Sequence, residues 1–264
     1  MRPGNHVQVS HSRLSWLRLI AGELRRYLIE CRAYWPSFVS QTAVMIVMFA
    51  VFVWMSPATS RPSGWYGYFL WIVASGVISE APIATNSEKQ RGTLEQLMVR
   101  PHSLPRLMMV KSVSWVTINL VLAILTMGII VVLFRLPLGF SWEILPIALV
   151  GIASTFGFAL LLSALTLLWS KVSGLVSVLT FLLLLCTGAV VPVTDLPGPL
   201  QWLAAGLPLT ASIGLGKAAI AGLGIVPAEV FWLLINAIIY IVLGWLCCRL
   251  VIRVALRRGI TMHY

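Results

Sequence analysis

The stretch ILPIALVGIASTFGFALLLSALTLLW, residues 144–169, holds no charged side chain. A helix that crosses a bilayer needs about 20 consecutive apolar residues, and this run is long enough to cross at a tilt or to project beyond the lipid. The rest of the chain repeats its character. Of 264 residues, 59% are hydrophobic and only 10% charged, and the mean hydropathy is +0.94. These values place the chain in the membrane class and exclude a soluble enzyme.

Dividing the chain by length alone gives six segments of spanning character, at 38–55, 66–85, 107–134, 144–169, 172–191 and 228–251. Gly157 is a position where the fourth could bend. The fold class expected is therefore all-α integral membrane, with one transmembrane domain over residues 1–264. Net charge is +11, which by itself fits nucleic acid or an anionic surface. Position separates the two. Of the 19 basic residues, all but Arg61, Arg135 and Lys217 fall on one side of the six-span arrangement. This is the positive-inside pattern, so both termini are expected in the cytoplasm, the membrane is expected to be the plasma (inner) membrane, and no nucleic-acid partner is expected.

Ahead of the first span, Leu14, Leu17, Ala21, Leu24, Leu28, Cys31 and Trp35 recur at steps of three and four, with Arg18, Arg25, Arg26 and Arg32 between them. The pattern predicts an amphipathic helix over 11–35 lying along the inner leaflet, ended or kinked by Pro36. A plain lipid anchor fits the same residues. The region is too polar and arginine-rich for a cleavable leader, so the whole chain is read as mature. Residues 192–227 are apolar but cut by Pro197, Pro199, Gly206, Pro208 and Gly216 into pieces shorter than a span. They read as re-entrant or interfacial helices on the outer side.

One polar island interrupts the hydrocarbon, Ser87-Glu-Lys-Gln-Arg-Gly-Thr-Leu-Glu-Gln-Leu-Met-Val-Arg-Pro101, between the second and third spans. Ser87 with Gln90 and Thr93 with Gln96 each match a capping box, a hydroxyl and a downstream amide that satisfy free backbone N–H groups at a helix start. Gly92 permits a turn between them. The spacing predicts a short helix over 94–99 that carries Leu94, Leu97 and Met98 on one face and is closed by Pro101. Glu95 in its first turn and Arg100 at its end suit the helix dipole. Such an element on a cytoplasmic loop fits docking into a groove of another protein. An ordinary solvated loop fits as well.

Residues 88–97, Glu-Lys-Gln-Arg-Gly-Thr-Leu-Glu-Gln-Leu, followed by Pro101 and then Lys111, resemble the cytoplasmic signature of ABC-2 type transporter permeases, loosely E-x-E-x-G-T-L-E-Q-L. The topology resembles that family along the whole chain. Two positions depart from it: Gln90 replaces the second acid, and Leu207-Pro208-Leu209-Thr210 with Lys217 stands where many relatives carry Asn-Pro-Leu-Thr and a later arginine. The resemblance implies a homodimer or heterodimer, with a homodimer expected, and a cognate ATPase subunit docked under Glu88, Arg91, Gly92, Thr93, Leu94, Glu95, Gln96, Leu97, Met98, Arg100 and Pro101. It likens the N-terminal helix, with Leu17, Leu24, Arg25, Arg26 and Leu28, to a gate helix in contact with membrane lipid. It further implies an ATP-driven exporter of a hydrophobic or amphiphilic compound (drug, antibiotic or lipid-like), with a polysaccharide or lipid-linked glycan permease as the alternative.

The chain has no G-x-x-x-x-G-K-[ST] loop, so ATP and Mg are expected in the ATPase partner and no cofactor in this chain. Catalysis is not expected either. There is no H-E-x-x-H, and Ser163, Ser173 and Ser177 have no histidine in any span to activate them. The four histidines and four cysteines lack metal or redox spacing. A channel or secondary carrier would need polar spans, and polar residues there are few: Gln41, Thr42, Ser75, Ser79, Glu80, Asn119, Thr155 and Thr180. Thr42, Ser75, Glu80 and Thr180 are the candidates for a pathway. An intramembrane acid such as Glu80 is a functional candidate, although a structural pairing near the cytoplasmic end explains it too. Ala153 and Gly157, four apart, permit close helix approach.

Overall fold

The computed structural model describes residues 21–22, 25–26, 28–29, 31–55, 63–90, 104–137, 139–168 and 173–258. Among them the elements are helices only: α1 (Trp35–Met55), α2 (Gly64–Gln90), α3 (Leu104–Phe134), α4 (Ile144–Leu168), α5 (Ser173–Cys186), α6 (Gly198–Gly206), α7 (Thr210–Ile220) and α8 (Pro227–Arg258), with one 3-10 turn at Val193–Asp195. The described residues between 21 and 33 are also helical, and Arg25, Arg26 and Leu28 among them are exposed. The helix breaks at Tyr34 and restarts at Trp35, where the Ser37 amide donates to the Tyr34 carbonyl at 3.0 Å. Pro36 thus occupies a first turn, where its missing N–H costs nothing.

Four described helices are long and apolar enough to cross a membrane: α1, α3, α4 and α8. The pair α6 and α7 qualifies jointly, bent by 93°. The described residues of α2 and α5 do not by themselves supply an apolar window of that length. α2 bears Trp65, Tyr66 and Tyr68 in its first turns, yet from Tyr66 to Val77 it is buried almost throughout. Its surroundings are other helices rather than lipid, so uniform hydrocarbon is not required of it. α5 is 14 residues long. It stops at Cys186 instead of continuing to 191 because Gly188 turns the backbone left-handed (φ 81°), the usual device for ending a helix.

One further expectation is corrected. α2 runs on through Ser87 to Gln90, so the first capping box does not start a helix; Ser87 lies inside one, because a helix already nucleated propagates through Glu, Lys and Gln at little cost. Gly157 does not interrupt α4, which is continuous from Ile144 to Leu168. A side chain at Gly157 would lie 2.5 Å from the backbone of Tyr240 and Ile241, and one at Gly244 would collide with the Gly157 carbonyl. The two glycines form the crossing of α4 and α8, the most extensive helix pair among the described residues, and so serve packing within the chain.

α2 is the hub, packed against α3, α4, α5 and α7. Its aromatic residues carry polar tips to neighbouring backbones: the Tyr68 hydroxyl donates to the Met45 carbonyl of α1 (2.7 Å), and the Trp71 indole donates to the Thr180 carbonyl of α5 (3.0 Å). Around Tyr68, Phe49 (5.0 Å between ring centroids) and Trp71 (5.4 Å) close the core, and Phe134 meets Phe49 edge-on at 5.5 Å.

The elbow between α6 and α7 is held from outside itself. Trp232, Asn236 and Tyr240 repeat every four residues on one face of α8, and they donate to the last carbonyls of α6: Ala205 at 3.1 Å, then Gly206 at 3.1 and 2.9 Å. The Asn236 amide oxygen in turn accepts from Ser154 of α4 at 2.9 Å. Leu209, at φ 75°, makes the turn into α7, a conformation that costs a residue other than glycine about 1–2 kcal/mol. Burial of its side chain (1% exposed) and the Ser212 hydroxyl bond to the Ile147 carbonyl (3.0 Å) offset it.

Candidate functional site

α1 is peripheral: only 6% of its apolar window is buried. Between it, α2 and α3 lies a small open cleft of about 40 Å³, room for a few water-sized groups. From α1 it receives Phe38, Gln41, Thr42 and Met45, which share a face by their spacing of three and four. From α2 come Ile72, Ser75 and Gly76. From α3 come Asn119 and Thr126, two turns apart, with Leu122 and Ala123 between. Ser75 donates to the Ile72 carbonyl at 2.8 Å. A side chain on Gly76 would collide with the Asn119 amide, so the glycine makes room for it. The chemistry of the cleft is hydrogen bonding without charge, since the lining holds no ionisable residue.

The pathway candidates are therefore divided. Thr42 and Ser75 come together here. Glu80 is half-buried on α2 and does not line the cleft. Thr180 is a packing residue on α5: its hydroxyl bonds the Val176 carbonyl (2.8 Å) and its own carbonyl takes the Trp71 indole. Thr126 was not among the polar positions singled out, though its distance of seven residues from Asn119 places both on one helix face. Among the residues implied for ATPase docking, Glu88 belongs to the last turn of α2; Arg91, Gly92, Thr93, Leu94, Glu95, Gln96, Leu97, Met98, Arg100 and Pro101 lie outside the described residues, as does the helix predicted over 94–99. Leu17 and Leu24 of the gate-like helix also lie outside them. Among the described residues no group of three metal-binding side chains occurs, and the four cysteines are free.

A second polar junction joins α2, α5 and α7. The Lys217 ammonium donates to the Gly188 carbonyl at 2.5 Å and approaches that of Ala189 at 3.5 Å. It thereby satisfies carbonyls released where α5 ends, with its charge at the favourable pole of that helix. Gly67 leaves space for it, since a side chain there would lie 3.0 Å from the lysine stem and 2.7 Å from the Ala189 carbonyl. Lys217→Met keeps the stem but leaves the carbonyls unpaired. It is expected to destabilise by about 1–3 kcal/mol, read as a lowered thermal midpoint of the purified protein, with Gly67→Ala moving it in the same direction.

The family model described as ABC-2 type transporter matches residues 16–220. A comparison with curated proteins returns no match.

Proposed function

Because the chain belongs to the ABC-2 type transporter family, we propose that it is the permease subunit of an ATP-driven exporter that moves a hydrophobic or amphiphilic compound across or out of the inner membrane. It acts as a homodimer with a separate ATPase, which binds ATP and Mg. Both termini and the island at 87–101 face the cytoplasm, α1, α2, α3, α4, α5 and α8 cross the bilayer, and the elbow of α6 and α7 lies on the outer side.

The observation that carries this reading is the course of α2. Its 27 residues extend about 40 Å at 1.5 Å per residue, more than the roughly 30 Å hydrocarbon core. The same helix that holds Glu88 in its last turn holds Ser75 in the cleft and forms the centre of the bundle. Pro82 lies inside α2 between Ser75 and Glu88, where it removes one helix hydrogen bond; a displacement imposed on the island by an ATPase would pass along α2 through this joint to the helices packed on it. The charged and apolar residues of 88–101 supply a docking surface for that partner.

Charge reversal at Glu88 combined with Glu95→Ala tests it. The variant is expected to insert normally but to lose co-purification with the ATPase, or at least tenfold of cargo-stimulated ATP hydrolysis, an effect of about 1.4 kcal/mol or more on coupling. Normal stimulation in the double variant would remove the island from the coupling path.

A further inference from the structure

We infer that the cleft between α1, α2 and α3 binds the uncharged, hydrogen-bonding head of an amphiphile that enters sideways from the bilayer, and that the amphiphile is cargo. The assignment to cargo rests on the exporter reading; the binding site itself does not.

Three features point to this occupant. The polar residues of the cleft, Gln41, Thr42, Ser75, Asn119 and Thr126, are all neutral. An ion placed among them would lose its hydration without gaining a counter-charge, at a cost of several kcal/mol. A purely hydrocarbon occupant would instead face amides and hydroxyls that give it no hydrogen bond. A hydroxyl or amide head satisfies both conditions.

The second feature is position. Gln41 lies six residues into α1, about 9 Å along its axis, and is exposed. The cleft thus opens within the apolar thickness instead of at a helix end. α1 also presents Val44 (55% exposed) and Val47 (62%) to the outside, a track along which an acyl tail packs while its head turns inward.

The third is construction. Ser75, Thr126 and Ala123 at the floor are buried at 8%, 5% and 1% exposure, and the inner wall belongs to α2, the best-packed helix. Gly76 admits the Asn119 amide there. The head therefore meets a fixed wall, whereas the outer wall is a helix with few contacts. A site with one rigid and one loosely held side admits a ligand laterally at small cost in packing.

The test uses the full chain in nanodiscs of phosphatidylethanolamine and phosphatidylglycerol. A monoacylglycerol carrying a diazirine near its head is compared with an equally placed diazirine on phosphatidylglycerol, without nucleotide. The uncharged probe is expected to label peptides 38–45 and 119–126, to be displaced by unlabelled monoacylglycerol, and to exceed the anionic probe there at least fivefold. Thr42→Val with Ser75→Ala and Thr126→Val should reduce that labelling at least fivefold while labelling on the outward face of α4, around Leu145 and Leu149, is unchanged. Should the triple variant fail to fold, Gln41→Leu with Thr42→Val on the peripheral helix gives the same readout. Equal labelling by both probes, labelling that competitor does not displace, or full labelling in the folded variants would each overturn the site. In the complex with the ATPase, monoacylglycerol should raise ATP hydrolysis at least twofold in the wild type and not in the variants; labelling without stimulation would overturn the role as cargo. Loss of the site leaves the effect of the Glu88 and Glu95 substitutions in place, so the two readings fail separately.

Discussion

Gly157→Leu is expected to prevent accumulation of a monodisperse protein, and Gly157→Ala to lower stability by about 1–3 kcal/mol, the usual range for overpacking. The atoms in the way are backbone atoms of Tyr240 and Ile241, at 2.5 Å from an added Cβ, so no side-chain rotation relieves the contact. Alanine favours a helix over glycine by about 1 kcal/mol, which makes a loss at this position the more diagnostic. Gly128 of α3 is the control, since nothing lies within 4 Å of an added Cβ. Gly128→Ala should be neutral or slightly stabilising. Size-exclusion profiles and thermal midpoints of the two alanine variants compare them directly, and equal behaviour would contradict the close crossing of α4 and α8.

The next largest effect is expected at Asn236. Its side chain is 6% exposed and bridges Ser154 of α4 to the Gly206 carbonyl of α6. Asn236→Ala strands a serine hydroxyl that is fully buried and leaves the end of α6 to Tyr240 and Trp232. A loss of about 1–2 kcal/mol follows, in line with interhelical hydrogen bonds measured in membranes and with the cost of an unsatisfied buried group. Asn236→Leu combined with Ser154→Ala removes both partners together and should cost less than the two single changes added. Hydrogen exchange at residues 204–209 should rise in Asn236→Ala and remain low in α2. Unchanged exchange at the elbow would show that α8 does not hold it.

Both predictions concern contacts that the sequence left open, whereas much of the outline was legible. The apolar runs marked α1, α3, α4 and α8 within a few residues, except that α8 continues to Arg258, because solvation by lipid constrains every residue of a span. Pro36 marked the break between the N-terminal helical residues and α1, and the glycines and prolines of 192–227 separated α6 from α7. Legibility failed at helix ends, where two signals compete. Ser87 carried a capping signature, yet α2 had already begun at Gly64 and continued through it. Gly188 was the cue for the early end of α5, but an apolar run that continued to 191 concealed it.

The candidate site shows the same division. Thr42 and Ser75 were found as polar residues in apolar spans, and Thr180 was found by the same reasoning, though its role is to pack against Trp71. Polarity identified the candidates without indicating which helix face each occupies.

The sequence by itself determined that this protein lives in a membrane, where along the chain its basic residues cluster, and where a charged segment interrupts the hydrocarbon, because transfer between water and lipid depends on composition along the chain. Tertiary structure alone decided that Gly151 of α4 admits Ser212 of α7 while Gly157 admits α8, that Asn236 reaches Gly206, and that five neutral polar side chains of three helices line one cleft. In α4 the hydroxyls of Thr155, Ser163 and Thr166 bond carbonyls of their own helix and only Ser154 bonds a neighbour, so polarity along the sequence does not record which helix lies on which face. Only the close approach of backbones, and the pairing of the few polar groups that lipid leaves unsatisfied, fixes its rotation.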